Sequence, residues 1–125
     1  MSDHVRVTAI RRVRLREALK PAKAWGHTDP DPDWVVIVHV TERKNVESFQ
    51  VLLLKVLASP CASSGCRWTA SRVEVIRFKV YDTLRIAKDQ AHADFGIQYV
   101  EWDVCDVELA DDKGIVHWDK AFPSA

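Results

Sequence analysis

Apolar and polar positions along this chain alternate mostly with a period of two. Val5, Val7, Ala9, Val13 and Leu15 share one parity, while Arg6, Thr8, Arg12, Arg14 and Arg16 share the other. Only Ile10 and Arg11 break the pattern, which predicts a half-buried strand with an arginine face. Trp34 to Val40 is an almost continuous apolar run, as expected of a central strand covered on both sides. Arg72 to Tyr81 predicts another strand, with its apolar parity changing between Val75 and Ile76. Val100, Trp102 and Val104 alternate with Glu101 and Asp103, and the apolar parity then passes to Val107 and Leu109. That switch predicts a strand with a bulge near Cys105-Asp106. Asp111-Asp112-Lys113-Gly114 predicts a hairpin turn into a short strand, Ile115 to Trp118.

Two stretches admit two readings. In residues 46–58, Val46, Phe49, Leu53, Val56 and Leu57 fit a helix capped by Asn45, but Phe49, Val51, Leu53 and Leu57 also fit a strand. In residues 83–93, a short helix after an Asp82 cap would place Leu84, Ala87 and Ala91 on one face; the alternative is a loop. Loops fall at residues 20–33, rich in Pro and Asp, and 59–65. Five or six strands and at most two helices predict a mainly β chain, an antiparallel sandwich of one domain over residues 1–125. The alternative is an α+β domain with a curved antiparallel sheet and one or two helices.

The 125 residues suffice for one domain with its own core, and 47% apolar with 29% charged residues excludes a disordered or low-complexity chain. Eighteen Lys and Arg balance 18 Asp and Glu. No global field therefore draws the chain towards nucleic acid or membrane. Locally the charges separate. Residues 1–23 carry seven basic side chains against two acidic ones, and residues 94–119 carry eight acidic ones against Lys113. The first residues lack the pattern of a secretory signal, and the most apolar run, Val51 to Ala58, is too short to span a bilayer. The cytoplasm is the expected location.

Nucleophile elbows, phosphate-binding glycine loops and paired metal-binding histidines are absent from the sequence, which favours a non-catalytic protein; a Cys–His or paired-carboxylate enzyme stays open, because such partners meet in space and not in sequence. Cys61 and Cys66, separated by four residues in a loop, would chelate a metal, pair, or remain inert thiols; no second close pair completes a zinc site. The arginine face of Arg6, Arg12, Arg14 and Arg16 is a candidate site for anions such as lipid phosphates. The competing reading is cross-strand pairing with the acidic strand around Glu101 and Asp103. Nucleic acid is disfavoured because no aromatic rings are interleaved with these arginines. Trp25 and Trp118, at element ends, are candidates to line a ligand groove, whereas Trp34, Trp68 and Trp102 are expected in the core. Asp29, Asp82 and Asp94 lie in connections at strand ends, and carboxylates converging there would suit calcium. The competing reading is that Asp and Pro initiate turns.

Three stretches, in order, resemble landmarks of the C2 domain. Gly26-His27-Thr28-Asp29-Pro30 is similar to that family's Gly-x-Ser-Asp-Pro segment, Arg77 to Asp82 resembles its strand ending in Val-Tyr-Asp, and Ala93-Asp94-Phe95-Gly96 its later Asp-Phe turn. The resemblance covers about a third of the chain and implies a β-sandwich that binds calcium and acidic phospholipids, with Asp29, Asp82 and Asp94 as cation ligands. The chain departs from the pattern at Leu84, where the family places a second Asp, and between Phe95 and Gly96, where a residue is missing. Residues 42–71 match nothing in it.

The sequence thus leads to a non-catalytic binding module that engages a cation, a protein or an anionic surface through its Asp-bearing loops and arginine face. Two alternatives stand beside it. One is an α+β domain with a Trp-lined pocket, either binding a small molecule or acting on it as an enzyme. The other is a self-associating protein that pairs its basic first strand with the acidic strand of a neighbour.

Overall fold

The structure is a computed structural model that describes residues 5–15, 25, 32–42, 46–57 and 72–121. Five strands, β1 (Arg6–Arg14), β2 (Trp34–Thr41), β3 (Glu47–Leu57), β4 (Arg72–Tyr81) and β5 (Asp103–Glu108), form one antiparallel sheet in the order β4-β3-β2-β1-β5. One helix, α1 (Leu84–Phe95), follows β4. The described residues are therefore mainly β with a single α-helix, consistent with a mainly-β or an α+β fold. Among the described residues there is one sheet, and no second sheet stacks on it to make a sandwich. No helix among them is long and apolar enough to cross a membrane.

β2 lies at the centre of the sheet, and Val35, Val36, Ile37 and Val38 are all fully buried. Continuous burial follows from cover on both faces. Val35, Ile37, Val51 and Leu53 face a core closed by Ala87, Ala91 and Phe95 of α1, together with Trp25 and Trp102. Val36, Val38, Leu52 and Leu54 face a second core closed by Leu109 and Ala121. These two sides are called the α1 face and the far face below. Val35 and Val36 alternate between them because successive strand side chains point to opposite sides.

β3 resolves one of the open readings: residues 47–57 are strand. Its neighbours β2 and β4 satisfy its backbone along both edges. Both parities of Val51–Leu54 are buried, so the apolar positions carry no clean period of two and mimic helical spacing. Residues 84–95 resolve the other reading as helix, with Leu84, Ala87 and Ala91 on the core side as expected. The cap differs. Thr83, in extended conformation, accepts from the Ile86 amide through its Oγ1 at 3.1 Å, while Asp82 is exposed beside it. A cap must stand immediately before the first helical residue for its oxygen to reach the N3 amide, and Thr83 holds that position. Gly96 ends the helix at φ 72°, with its amide bonded to the His92 carbonyl at 2.9 Å. A residue without Cβ enters that left-handed region at little cost.

Two parity changes and the interruption in β1 become bulges. In β1, Ala9 opposes Val38 and Arg11 opposes Ile37, so Ile10 is the extra residue. Opposite it in β5 the pairing passes from Val107 to Val104, which places a bulge at Cys105-Asp106 as the sequence predicts. In β4 the pairing passes from Val75 to Arg77, which makes Ile76 the third. One expectation fails here. Val7 and Ala9 lie in the far-face core, but Val13 and Leu15 lie in the α1-face core. The shared parity of β1 does not mark one face, because the extra residue reverses every side chain after it.

Two further expectations are corrected. Residues 99–101 form a 3-10 turn, so Val100 is 92% exposed while Trp102 is buried, and regular alternation starts only at Asp103. The Asp111–Gly114 turn forms, with the Gly114 amide bonded to the Asp111 carbonyl at 2.9 Å and Gly114 at φ 80°. The segment after it makes a single bridge, Ala110 to Val116, and enters a 3-10 turn at Trp118–Ala121 instead of a strand.

Candidate binding site at the β4 edge

The arginine face predicted for β1 is divided by its bulge. By register Arg6 points to the α1 face, whereas Arg12, opposite Val36, and Arg14, opposite Trp34, point to the far face. Arg6 Nε lies 3.5 Å from Glu108, and Arg12 Nε lies 4.0 Å from Asp103. Arg12 also donates through Nη1 to the carbonyl of Ala121 and so ties the final 3-10 turn to the sheet. Arg14 is exposed, and Arg16 lies outside the described residues. The basic and acidic strands are neighbours within the chain, so β1 is not free to pair with the acidic strand of another copy. Both Arg6 and Glu108 are more than half exposed, and such a pair contributes little net stability.

Of the aspartates of the cation reading, the two described ones stand apart. Asp82 precedes α1 and Asp94 lies in its last turn, separated by about 15 Å of helix axis. Asp94 Oδ2 accepts the indole N–H of Trp25 at 2.8 Å. Phe95, beside it, is buried in the α1-face core, its ring 5.1 Å from that of Trp25. Asp29 lies outside the described residues, as do Cys61, Cys66 and Trp68. Asp33 stands where the Asp-Pro loop enters β2, and its carboxylate takes Lys55 Nζ and the Val56 amide of β3. That role is a turn staple. No group of three or more His, Cys, Asp or Glu side chains suited to a metal occurs among the described residues.

Other polar side chains are likewise bound locally. His39 Nε2 meets Glu47 at 2.9 Å and its ring stacks on Phe49 at 4.7 Å, both across β2 and β3. Cys105 is a partly buried free thiol that donates to the Ala9 carbonyl at 3.4 Å, and burial raises its pKa above the ordinary thiol value. Burial also raises the pKa of Tyr81, with the Asp94 carboxylate adding to the effect. Trp34 and Trp118 pack at the margin of the far-face core.

A concave surface lies on the outer edge of β4. Trp25, Val75, Ile76, Arg77, Phe78 and Lys79 line a groove of about 470 Å³. Among the described residues β4 pairs with β3 alone. Phe78 and Val80 are 57% and 52% exposed although they point to the far face, because the cover of that core does not extend over the end of β4. Lys79 Nζ stands 4.9 Å above the Trp25 ring, whose N–H is held by Asp94. Trp25 is buried and forms the floor on the α1 side. Apolar surface, two cations and a strand edge without a strand partner among the described residues thus meet in one place.

Trp25 is the one groove residue that the sequence marks for a ligand. Phe78 and Val80, set between Arg77, Lys79 and Tyr81, carry a weak signal after the parity change at Ile76. Their exposure depends on where the cover of the far face stops, which no local pattern reports. A second cavity, of about 270 Å³, is lined by Val5, Arg6, Glu108, Ala110, Asp111 and Asp112. Two of its three carboxylates are engaged: Glu108 meets Arg6, and Asp111 accepts from His117 Nε2 and the amides of Lys113 and Ile115. No family model matches the chain, and no curated protein or solved structure shows a significant match to it.

Proposed function

We propose that the chain is a non-catalytic binding module that takes an extended, acidic polypeptide segment along the edge of β4. The observation that carries this reading is the groove itself, in which exposed Phe78 and basic Arg77 and Lys79 flank an edge strand. Addition of a strand to a sheet edge draws affinity from main-chain hydrogen bonds and selectivity from alternate side chains. Carboxylates on the incoming segment would meet the cations, and its apolar residues would cover Phe78 and Val80. The cation and lipid readings built on Asp29, Asp82 and Asp94, or on Arg6, Arg12, Arg14 and Arg16, draw less support from geometry. Their described members point to different faces or stand far apart.

The test is a nuclear magnetic resonance titration with a synthetic peptide of alternating Val and Glu. Amide signals over residues 77–81 shift and gain protection from exchange, Lys79→Glu weakens binding, and a peptide with Lys in place of Glu does not bind. Shifts at Trp25 with a compact aromatic sulfonate, and none with either peptide, would assign the groove to a small molecule instead.

A further inference from the structure

The two outer strands of the sheet carry opposite charge on the same face. Arg77, opposite Leu53, and Lys79, opposite Val51, lie on the α1 face of β4. Glu108, opposite Thr8, lies on the α1 face of β5, and Asp106 shares its parity two residues earlier. Phe78 and Val80 are exposed on the far face of β4, whereas the 76% exposed Val104 of β5, opposite Arg11, lies on the α1 face, so the match between the two edges is one of charge. All neighbouring strands are antiparallel, so the fifth strand in the order runs in the same direction as the first. A second copy shifted across the sheet, with its faces aligned, would set its β5 beside β4 as a parallel neighbour. Asp106 and Glu108 would then stand on the side of Arg77 and Lys79. Pairing of β4 with β4 would instead bring these cations towards their own copies, and like charges across strands destabilise.

We propose that the segment taken at the β4 edge is β5 of another copy of this chain, which makes the assembly head to tail and open-ended. This rests on the binding reading above and names its partner. The bulge at Ile76 breaks the register of β4 between residues 72–75 and 77–81, so a contact in register with residues 77–81 is short, weak and screened by salt. The surface pair of Arg6 and Glu108 leaves Glu108 half exposed and able to share a second cation.

Sedimentation velocity from about 10 µM to about 1 mM protein tests the inference. At low salt the sedimentation coefficient rises with concentration, and in about 0.5 M salt the rise is lost. Lys79→Glu and Asp106→Lys each suppress it, with circular dichroism unchanged, and the double variant restores it because the charges are exchanged rather than removed. Assembly that survives both single variants uses another surface and overturns the inference. A synthetic peptide of residues 102–109, with Ser for Cys105, separates the two levels. If it shifts the amides of 77–81 while the chain stays monomeric at about 1 mM, self-assembly is overturned and the binding reading stands. If neither this peptide nor the Val/Glu peptide shifts them, both are overturned.

Discussion

The two buried indoles of the α1-face core differ in one atom's surroundings. Trp25 Nε1 donates to Asp94 at 2.8 Å, whereas Trp102 Nε1 is buried with no partner among the described residues. An unsatisfied buried donor costs about 1–3 kcal/mol, and a hydrogen bond to a charged acceptor contributes about 1.5–3 kcal/mol. Replacement by Phe removes a similar volume at both sites. Trp25→Phe is therefore expected to cost more than Trp102→Phe by about 1–3 kcal/mol in urea unfolding, and equal costs would refute the assignment. Asp111 gives a prediction in pH. The His117 side chain, then the Ile115 amide, hold its carboxyl below the ordinary aspartate value of 3.8. A depressed folded value means that its stabilisation is complete above the unfolded value and is lost as pH falls through the folded one. Acidification below about pH 4 should thus release the turn, seen as loss of the Lys113 and Ile115 amide signals from their folded positions. Asp111→Asn removes this pH dependence; a variant that titrates like the parent would show that another group governs the turn.

At the scale of elements, caps and bulges determine where side chains point. Thr83, not Asp82, satisfies the first turn of α1. Thr83→Ala should cost about 1 kcal/mol, and Thr83→Asp should recover most of it. Asp82→Ala should change stability by less than about 0.5 kcal/mol, as for an exposed residue without a cap role. Thermal melts of the three variants decide between the two residues. The extra residue at Ile10 has a larger consequence, since it turns one arginine face into two. Arg6 is left to Glu108 and Arg12 to Asp103 and the Ala121 carbonyl. In β4 the extra residue at Ile76 brings Ile76 and Arg77 onto the same face, opposite to Val75 and Phe78.

At the scale of the molecule, one sheet separates two cores. Leu52 faces the far core and Leu53 the α1 core, both at most 1% exposed and adjacent in β3. Leu52→Ala and Leu53→Ala should each destabilise by about 2–5 kcal/mol through lost burial and the cavity left behind. Because the same strands wall both cores, either variant should still unfold in one cooperative step. Two resolved transitions in calorimetry would mean that the cores are separate units. The order β4-β3-β2-β1-β5 also puts the basic end of β4 and the acidic β5 at opposite margins, the arrangement on which head-to-tail pairing depends.

Local pattern alone determined much of this protein. The strands at Trp34–Val40 and Arg72–Tyr81, the bulges at Val75-Ile76 and Cys105-Asp106, and the core side of the helix at Leu84, Ala87 and Ala91 are legible because backbone period and side-chain direction are local properties. The two-sided burial of β2 is legible too, since only double cover tolerates Val-Val-Ile-Val. Tertiary structure decided the rest. Residues 47–57 became strand because β2 and β4 satisfy both of their edges, a fact invisible to a sequence apolar on both parities. The side of each arginine was decided by one extra residue paired against two neighbours. The exposure of Phe78 and Val80, and with it the groove, was decided by where the cover of the far face ends. Register and cover join residues far apart in the chain, and periodicity carries no record of either.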